Sequence, residues 1–363
     1  MKTALFDYDL PPELIAQRPA ATRDASRLLI VDRRTRALSH RVFSDLPSFL
    51  RGGDWLIRNT ARVLPARLFA QRQSGGGRVE CLLLRPASED SRSWWCLLRP
   101  GRRLGPGARF GITGEFDAVV REKSAQAEYR VEFFPADETE NVVALAERLG
   151  RLPLPPYVGR AAEDDAIDAE DRARYQTVFA DPRHTVAVAA PTAGLHFSEE
   201  LIASVIAGGA AFADVILHVG LGTFRPIETE DVAAHPIHRE RIEISAETRR
   251  MLDDTAPGGR RIAVGTTSLR TVEYYARHKH RDLAPDADYI ADDDLFVYPP
   301  FNFKAADALI TNFHLPRSTL LCLVAAFLAP GSTDGVSWLH EIYAEAIRER
   351  YRFLSYGDAM LIL

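Results

Sequence analysis

Two segments of this chain combine glycine and histidine in apolar surroundings, and this combination is typical of ligand sites. Residues 190–197 read Ala-Pro-Thr-Ala-Gly-Leu-His-Phe and carry His196. Residues 217–224 read Leu-His-Val-Gly-Leu-Gly-Thr-Phe and carry His218 where a predicted strand breaks into glycines. Glycine lets backbone N–H groups approach a bound molecule, and an imidazole titrates near neutral pH. We therefore expect the two segments to line one shared pocket.

Four histidines cluster in this part of the chain, and Glu240 follows them closely. The set could hold a metal ion or supply acid–base chemistry, although a single histidine is more often structural. Neither an HExxH helix nor a nearby cysteine accompanies them, so we expect no metal. An imidazole against an apolar loop can act as a general base without one, and we favour this interpretation. The four are His196, His218, His235 and His238.

Two further segments place polar side chains between a strand and a helix. Residues 262–270 predict a strand, a turn and a helix start, where unpaired N–H groups attract anions or carboxylates, although an ordinary helix cap is the alternative. Residues 307–319 pass from a buried strand through a polar turn into a buried helix. Polar residues at the C-terminal end of such a strand lie where α/β proteins place ligand sites. They are Asn312, His314, Arg317 and Ser318, the last of which could equally cap the helix.

The glycine patterns argue against two common nucleotide-binding folds. A dinucleotide fingerprint needs three glycines in the order G-x-G-x-x-G at a helix start, and the chain has none. Gly220 and Gly222 resemble the methyl-donor loop of Rossmann methyltransferases, but Pro226 follows at once and no helix opens there. We therefore do not expect a dinucleotide-dependent enzyme or a Rossmann methyltransferase.

The order of the predicted elements indicates two architectures in one chain. Short, evenly spaced strand signals between about residues 62 and 135, with a triple-glycine turn at 75–77, predict a small antiparallel barrel or sandwich. From about residue 185 strands alternate with helices, which is an α/β pattern. Between them, the acidic residues 163–171 are poor in apolar side chains, and we expect a surface excursion there.

The segment before residue 60 is too short and mixed to be a separate domain. We therefore predict the α/β fold class, with a discontinuous α/β catalytic domain of residues 1–60 and 151–363. Residues 61–150 would form an inserted β-barrel domain. A chain of 363 residues exceeds the usual size of a single hydrophobic core, which agrees with two domains.

Composition indicates an ordinary globular protein of a reducing compartment. Hydrophobic residues make up 46% and charged residues 26% of the chain. The three cysteines are an odd number without C-x-x-C spacing, so we expect neither a disulfide framework nor a zinc ribbon, and a cytoplasmic location. The longest apolar stretch, residues 320–329, is about half the length of a membrane span, so we expect a buried helix and no membrane association.

Charge is distributed unevenly along the chain. The formal net charge is −5, yet residues 51–110 contain twelve arginines, no lysine and four acidic residues. Arginine favours bidentate contacts to phosphate and stacking on bases, which suggests a nucleic-acid partner. The alternative is that arginine simply stands in place of lysine on solvated strands.

Taken in order, these blocks resemble the S-adenosylmethionine:tRNA ribosyltransferase-isomerase family of queuosine biosynthesis over nearly the whole chain. Any one block would be weak evidence, but together they are highly specific. The segments that carry the resemblance are residues 62–68, 152–157, 175–178, 190–197, 217–224, 235–240, 263–269, 311–319 and 351–360.

The resemblance implies an α/β domain of barrel-like form with an inserted β-barrel, and an unusual reaction. S-adenosylmethionine, as co-substrate, would donate its ribosyl portion to 7-aminomethyl-7-deazaguanine at the tRNA wobble position. The products would be epoxyqueuosine in tRNA, adenine and methionine. This reaction requires a base near the 5′ carbon, because the sulfonium acidifies the hydrogens on that carbon. It also requires a pocket that excludes water. The implied partner is the precursor-bearing tRNA, bound by a monomer without a metal.

Site residues follow from the same resemblance. His196 and His218 are the candidate bases, with Glu240 as a third catalytic residue. Two other interpretations stay open: a relative that uses the same donor with another acceptor, and a protein that binds RNA or nucleoside without turnover. The expected S-adenosylmethionine pocket consists of Thr192, Gly194, Gly220, Gly222, Thr223, Phe224, Thr266 and Thr267. The expected RNA-binding residues are Arg62, Arg67, Asn312, His314 and Arg317.

Overall fold

The computed structural model describes residues 1–87, 92–160, 165–187, 189–220, 226–253, 259–278 and 283–363. The helices in these residues are α1 (Val142–Leu149), α2 (Asp165–Arg174), α3 (Glu199–Ala207), α4 (Ala246–Asp253), α5 (Thr266–His278), α6 (Thr319–Leu328) and α7 (Gly335–Arg348). The strands are β1 (Arg27–Val31), β2 (Leu38–Val42), β3 (Trp55–Asn59), β4 (Ala61–Val63), β5 (Arg67–Arg72), β6 (Arg78–Pro86), β7 (Ser93–Arg99), β8 (Arg109–Ile112), β9 (Phe116–Lys123), β10 (Tyr129–Pro135), β11 (Asp181–Ala187), β12 (Ala211–Leu217), β13 (Glu240–Ile244), β14 (Arg261–Val264), β15 (Tyr289–Asp293), β16 (Ala308–Asn312) and β17 (Ala359–Ile362).

Nine strands form one mixed sheet in the order β15-β13-β12-β3-β14-β16-β17-β1-β2. Its centre is parallel: Ile57 of β3 lies opposite Ala213 of β12 on one side and Ala263 of β14 on the other. Strands β13 and β15 at one edge and β2 at the other pair antiparallel to their neighbours. The central strands are short apolar runs because both of their faces are buried. The predicted α/β class is confirmed, and β15 and β2 are the end strands of this sheet.

Helices and loops cover both faces of the large sheet. Along β16 the side chains alternate: Leu309 packs into the core beside α6 and α7, whereas Ala308 and Ile310 pack on the other face with Leu201 of α3. In α6, every residue from 321 to 328 is buried. The buried helix predicted at residues 320–329 is therefore confirmed. This two-sided packing fixes the C-terminal ends of β14 and β16, which line the clefts described below.

Six strands close into a separate antiparallel barrel in the order β10-β7-β6-β5-β8-β9. The predicted glycine turn joins β5 to β6, with Gln71 opposite Arg78 at the hairpin end. Side chains such as Leu68 and Cys81 fill the barrel interior, and α1 adds Leu145 to the same core. The inserted barrel is confirmed. The boundaries at residues 61 and 150 stay a prediction, and β4 pairs with β11 rather than with a barrel strand.

The acidic segment predicted as a surface excursion contains a helix, α2. Asp168 and Arg172 form an i,i+4 ion pair on it, 3.1 Å apart. Asp171 is 2% exposed and accepts hydrogen bonds from Arg160 and Tyr356. Periodic apolar residues predict helices that bury one hydrophobic face. This helix is held mainly by charged and polar contacts, so its sequence lacks the apolar periodicity that would have predicted it.

The described helices include none with the length and apolar character needed to cross a bilayer. The three cysteines are buried free thiols, two in the barrel and one in α6. Each lies among apolar side chains, so they contribute to packing.

Candidate functional site

A cleft of about 620 Å³ opens at the C-terminal ends of β14 and β16. We call it the central cleft. Its walls include the β14–α5 turn, the polar turn after β16, and the segment at residues 190–193. Val219 lines it as well, so parts of both glycine–histidine segments meet here, as predicted.

The turn from β14 into α5 presents backbone donors to the central cleft. Gly265 has φ +93°, a conformation that side-chain-bearing residues rarely adopt, and α5 begins directly after it. Leu269 donates the first N–H bond back to Gly265, so the N–H groups of residues 266–268 lack partners within the helix. The hydroxyl of Thr267 is buried and has no hydrogen-bond partner in the described residues. The turn is thus equipped to bind a polar ligand.

His196 is joined to the central cleft through Asn312. The side-chain amide of Asn312 donates to Nε2 of His196 at 3.0 Å, and Nδ1 of the ring lies 2.7 Å from the Ser26 hydroxyl. The Asn312 oxygen in turn accepts from the Thr192 hydroxyl at 2.9 Å. Burial, with Arg352 and Arg23 nearby, lowers the pKa of His196 to about 3. His196 is therefore neutral, with both ring nitrogens engaged, and it orients the amide that lines the cleft.

His314 lines the central cleft directly. Its Nε2 lies 2.8 Å from the hydroxyl of Thr311, and its backbone N–H donates to the Tyr343 hydroxyl at 3.0 Å. Burial lowers the pKa of this imidazole to about 3. A second neutral histidine thus lies at the same end of β16.

His218 follows β12, between Leu217 and Val219. Leu217 lines the neighbouring cleft described next and Val219 lines the central cleft. Because side chains alternate along an extended segment, His218 points to the opposite side. Its Nε2 lies 3.0 Å from Oε1 of Glu243 on β13, and burial lowers its pKa despite this carboxylate. In the described residues, therefore, His196 and His218 do not meet in one cleft.

A second cleft, of about 570 Å³, shares Thr266, Thr267 and Leu320 with the central cleft. We call it the side cleft. It is lined by the other two histidines of the predicted cluster, His235 and His238. Among the described residues, His, Cys, Asp and Glu side chains form no group of three or more arranged to hold a metal ion.

The side cleft is built around a buried charge cluster. Glu240 of β13 accepts from the Gly220 N–H at 2.8 Å and from Arg270 of α5 at 2.7 Å. Arg270 also lies 2.9 Å from the carboxylate of Asp293 at the end of β15. Burial raises the pKa of Asp293 to about 6 in spite of this guanidinium. Two carboxylates thus share one arginine, and through Glu240 they hold the glycine segment in place.

Comparison with known proteins decides the family. The family model described as "Queuosine biosynthesis protein" matches residues 3–362. The chain belongs to this family. The S-adenosylmethionine:tRNA ribosyltransferase-isomerase of Pelobacter propionicus is 46% identical over 98% of both chains, and that of Rubrobacter xylanophilus is 46% identical over 100% of this chain and 98% of the relative. The crystal structure of S-adenosylmethionine tRNA ribosyltransferase from Thermotoga maritima superposes on 99% of this chain with 37% identity and a TM-score of 0.54, covering 100% of that chain.

The predicted donor-pocket residues of this queuosine biosynthesis protein fall into three groups. Thr192, Thr266 and Thr267 line the central cleft, and Gly220 bonds to Glu240 in the side cleft. Gly194 is instead packed against the protein, because a Cβ there would lie 2.6 Å from the Phe179 ring and 2.8 Å from Thr177. The remaining three lie outside the described residues: Gly222, Thr223 and Phe224.

The predicted RNA-binding residues are not on one surface. Asn312 and His314 are buried at the central cleft, 2% and 8% exposed. Arg62 is held by Glu147, and Arg67 lies 3.5 Å from Glu80. Arg317 is exposed on the turn between β16 and α6, with φ 55°. Asn312 and His314 therefore belong to the central cleft rather than to an RNA-binding surface.

Some contributors to the clefts were not predicted as site residues. Tyr157 and Ser355 line the central cleft, and their hydroxyl groups lie 2.7 Å apart. Both lie in segments that carried the family resemblance, which was the available signal. Arg270 was the last residue of the predicted strand–turn–helix segment, but only the folded structure reveals its two carboxylate partners.

Proposed function

We propose that this protein is an S-adenosylmethionine:tRNA ribosyltransferase-isomerase of queuosine biosynthesis. It would transfer and isomerise the ribosyl portion of S-adenosylmethionine onto 7-aminomethyl-7-deazaguanine in tRNA and release adenine and methionine. The observation that carries this conclusion is the family match over residues 3–362, together with relatives of this name that align along their whole length. These relatives do not favour the alternatives, a different acceptor or binding without turnover.

The central cleft suits the donor S-adenosylmethionine. The methionine carboxylate is an anion, and the unpaired N–H groups at the start of α5 attract anions. The buried Thr267 hydroxyl, which lacks a partner among the described residues, supplies a further hydrogen bond to a ligand. Glu240 and Arg270 line the adjoining side cleft, and Asp293 contacts the same arginine, so this cluster has two carboxylates for one guanidinium. That charge balance favours a cationic group such as the sulfonium. When bound, that sulfonium acidifies the neighbouring carbon-bound hydrogens.

We propose distinct roles for the candidate site residues. Thr192, Thr266 and Thr267 bind the donor, and Gly220 approaches it with its position held by Glu240. Glu240 acts by holding Gly220 and Arg270, because both of its oxygens accept hydrogen bonds from them. Both ring nitrogens of His196 are likewise engaged, and His218 points away from the clefts. His196 acts as a positioning residue for Asn312, which in turn orients the Thr192 hydroxyl.

We infer that the RNA substrate is a tRNA carrying the 7-aminomethyl-7-deazaguanine precursor and that the enzyme works as a monomer in the cytoplasm, where that tRNA occurs. The arginine-rich barrel supplies cations for its phosphates. Arg62 and Arg67 face carboxylates, so their contribution to RNA requires exchange of those ion pairs.

Adenine release tests the proposed activity. The purified protein is mixed with S-adenosylmethionine and precursor-bearing tRNA, and free adenine is measured by chromatography. We expect one adenine for each modified nucleoside formed. The control tRNA carries guanine at the wobble position, and it should release no adenine. Equal adenine with both tRNAs, or none with either, would contradict the proposal.

A further inference from the structure

A third cleft, of about 2550 Å³, lies on the outer face of the small barrel. We call it the barrel groove. Its floor is formed by β5, β6 and β7, one wall by residues 151–160, and the opposite wall by part of α2. The side chains of Leu68 and Cys81 point into the barrel core, so their neighbours Phe69 and Glu80 face the groove. The groove is several times larger than either ligand cleft.

Among the described residues that line it, the barrel groove has more arginines than carboxylates. Its three carboxylates are each held by a guanidinium: Glu80 lies 3.5 Å from Arg67, Asp171 2.7 Å from Arg160, and Asp168 3.1 Å from Arg172. Further arginines line the groove beyond these pairs. Two of them are exposed and form no ion pair within the described part of the chain. These two are Arg78 and Arg99.

The aromatic ring of Phe69 packs against two of the groove's arginines. The guanidinium carbon of Arg78 lies 4.7 Å from the centroid of the Phe69 ring, and that of Arg151 lies 6.0 Å from it. Leu97 and Leu152 add apolar surface beside the ring. Guanidinium planes and apolar surface accept the faces of unpaired bases, and the cations accept phosphates. This mixture suits single-stranded nucleic acid, whereas an acidic peptide would not need the apolar floor.

The barrel groove and the central cleft share a wall. Residues 152–156 line the groove, and the next residue, Tyr157, lines the central cleft. The Tyr157 hydroxyl bonds to Ser355 across that cleft at 2.7 Å. A chain lying in the groove would therefore contact the same segment, residues 152–157, that borders the small-molecule site.

We propose that the barrel groove binds the single-stranded loop of the RNA substrate, beside the base that enters the central cleft. This inference rests on the proposed function, because it assigns the surface that holds the same RNA. Arg78 and Arg99 contact phosphates there, and Phe69 with the guanidinium of Arg151 stacks on a base next to the reacting one.

The test measures RNA binding in the absence of S-adenosylmethionine, so that it does not depend on turnover. A fluorescently labelled anticodon stem-loop is titrated with the full chain, and affinity is followed by anisotropy at several salt concentrations. The test variant combines Arg78→Ala with Arg99→Ala. The matched control is Arg109→Ala, which removes an exposed arginine of β8 outside the groove. S-adenosylmethionine binding to each protein is measured by calorimetry, and thermal melting verifies folding.

We expect the double variant to bind the stem-loop about tenfold more weakly than the wild-type chain. The slope of log K against log salt should become shallower by about 0.7 for each phosphate that the variant no longer neutralises. The control variant should bind RNA like the wild type, and all three proteins should bind S-adenosylmethionine equally. Both substitutions are at exposed positions, so melting should change little.

Equal RNA affinity of the double variant and the wild type would overturn the groove assignment. Equal weakening by the control variant would overturn it as well, since any barrel arginine would then serve. Neither result affects adenine release, which tests the proposed function separately. Conversely, groove-dependent RNA binding without adenine release would support the groove and contradict the enzymatic proposal.

Discussion

Hydrogen bonding separates the structural from the ligand-facing polar residues around the central cleft. His196, Asn312 and Thr192 form a connected chain in which the imidazole and the amide are each fully engaged. Thr267 differs, because its buried hydroxyl has no partner among the described residues. A buried polar group without a partner destabilises a fold by about 1 to 3 kcal/mol. Its position beside a cleft supports the proposal that a ligand supplies the missing bond.

Replacing Thr267 tests this assignment. Valine has the same shape without the hydroxyl, so Thr267→Val should leave the thermal midpoint unchanged or raise it slightly. The same variant should bind S-adenosylmethionine about five- to tenfold more weakly, because one hydrogen bond is lost. Calorimetry gives the affinity and melting gives the stability. Thr267→Ser keeps the hydroxyl and should retain wild-type affinity. Wild-type affinity of the valine variant would exclude the hydroxyl from the donor site.

At the level of elements, α5 joins the site to the edge of the large sheet. Its first residues line both ligand clefts, and one turn further on Arg270 bonds to Glu240 of β13 and to Asp293 of β15. These strands pair antiparallel with each other, and β15 is the end strand of the sheet. The arginine therefore couples the position of the helix start to both strands and, through Glu240, to Gly220.

The raised pKa of Asp293 gives this cluster a measurable pH dependence. Folding raises the pKa of this acid from 3.8 to about 6, so the folded state favours its protonated form. The resulting stability is full below about pH 4 and is lost as the pH rises through about 6. The loss amounts to about 3 kcal/mol at most. The difference in unfolding free energy between the wild type and Asp293→Asn should therefore decrease as the pH is raised from about 4 to above about 6.

Urea unfolding of both proteins at several pH values measures that difference. Asparagine cannot ionise, and its similar shape keeps the backbone bond from Leu295 to the side-chain oxygen. A difference that is constant with pH would show that Asp293 has an ordinary pKa in the fold. In that case Arg270 would outweigh burial, and the cluster would be a simple paired network.

Some elements were predictable from the sequence and others were not. The apolar run of α6 follows from its composition, and the strand–turn–helix at Gly265 follows from its turn residues. The structure has both. Strand β15 contains Asp292 and Asp293 and lies at the sheet edge, so no apolar run marked it. A shift of one residue along an extended segment turns a side chain to the opposite face, so the sequence alone did not define which way His218 points. Motifs thus located the cleft, while the direction of each side chain required the pairing of strands.

For the molecule as a whole, the fold separates two kinds of binding surface. At the C-terminal ends of strands β14 and β16, the large sheet presents buried, neutral histidines and the start of a helix. A small molecule can be enclosed there. The barrel presents arginines on an open face, although the chain as a whole has a formal net charge of −5. Residues 152–157 connect these surfaces. RNA affinity should accordingly depend on salt, whereas binding of the small donor should depend mainly on buried hydrogen bonds.

Acid stability is governed by the two buried histidines more than by Asp293. Folding lowers the pKa of His196 and of His314 from 6.5 to about 3, so the neutral forms are favoured. Their contribution is full above about pH 6.5 and is lost as the pH falls towards 3, at about 1.4 kcal/mol per pH unit for each histidine. Asp293 acts in the opposite direction over a narrower range. The free energy of unfolding should therefore fall on acidification.

Comparing the wild type with His314→Gln isolates one of these contributions. Glutamine does not titrate but can still hydrogen-bond to Thr311, so the variant should fold near neutral pH. Between about pH 6.5 and pH 5, the wild type should lose about 2 kcal/mol more unfolding free energy than the variant. Urea unfolding at both pH values gives the two losses. Equal losses would mean that His314 can be protonated inside the fold, and the neutral polar end of β16 would then have to open to water below neutral pH.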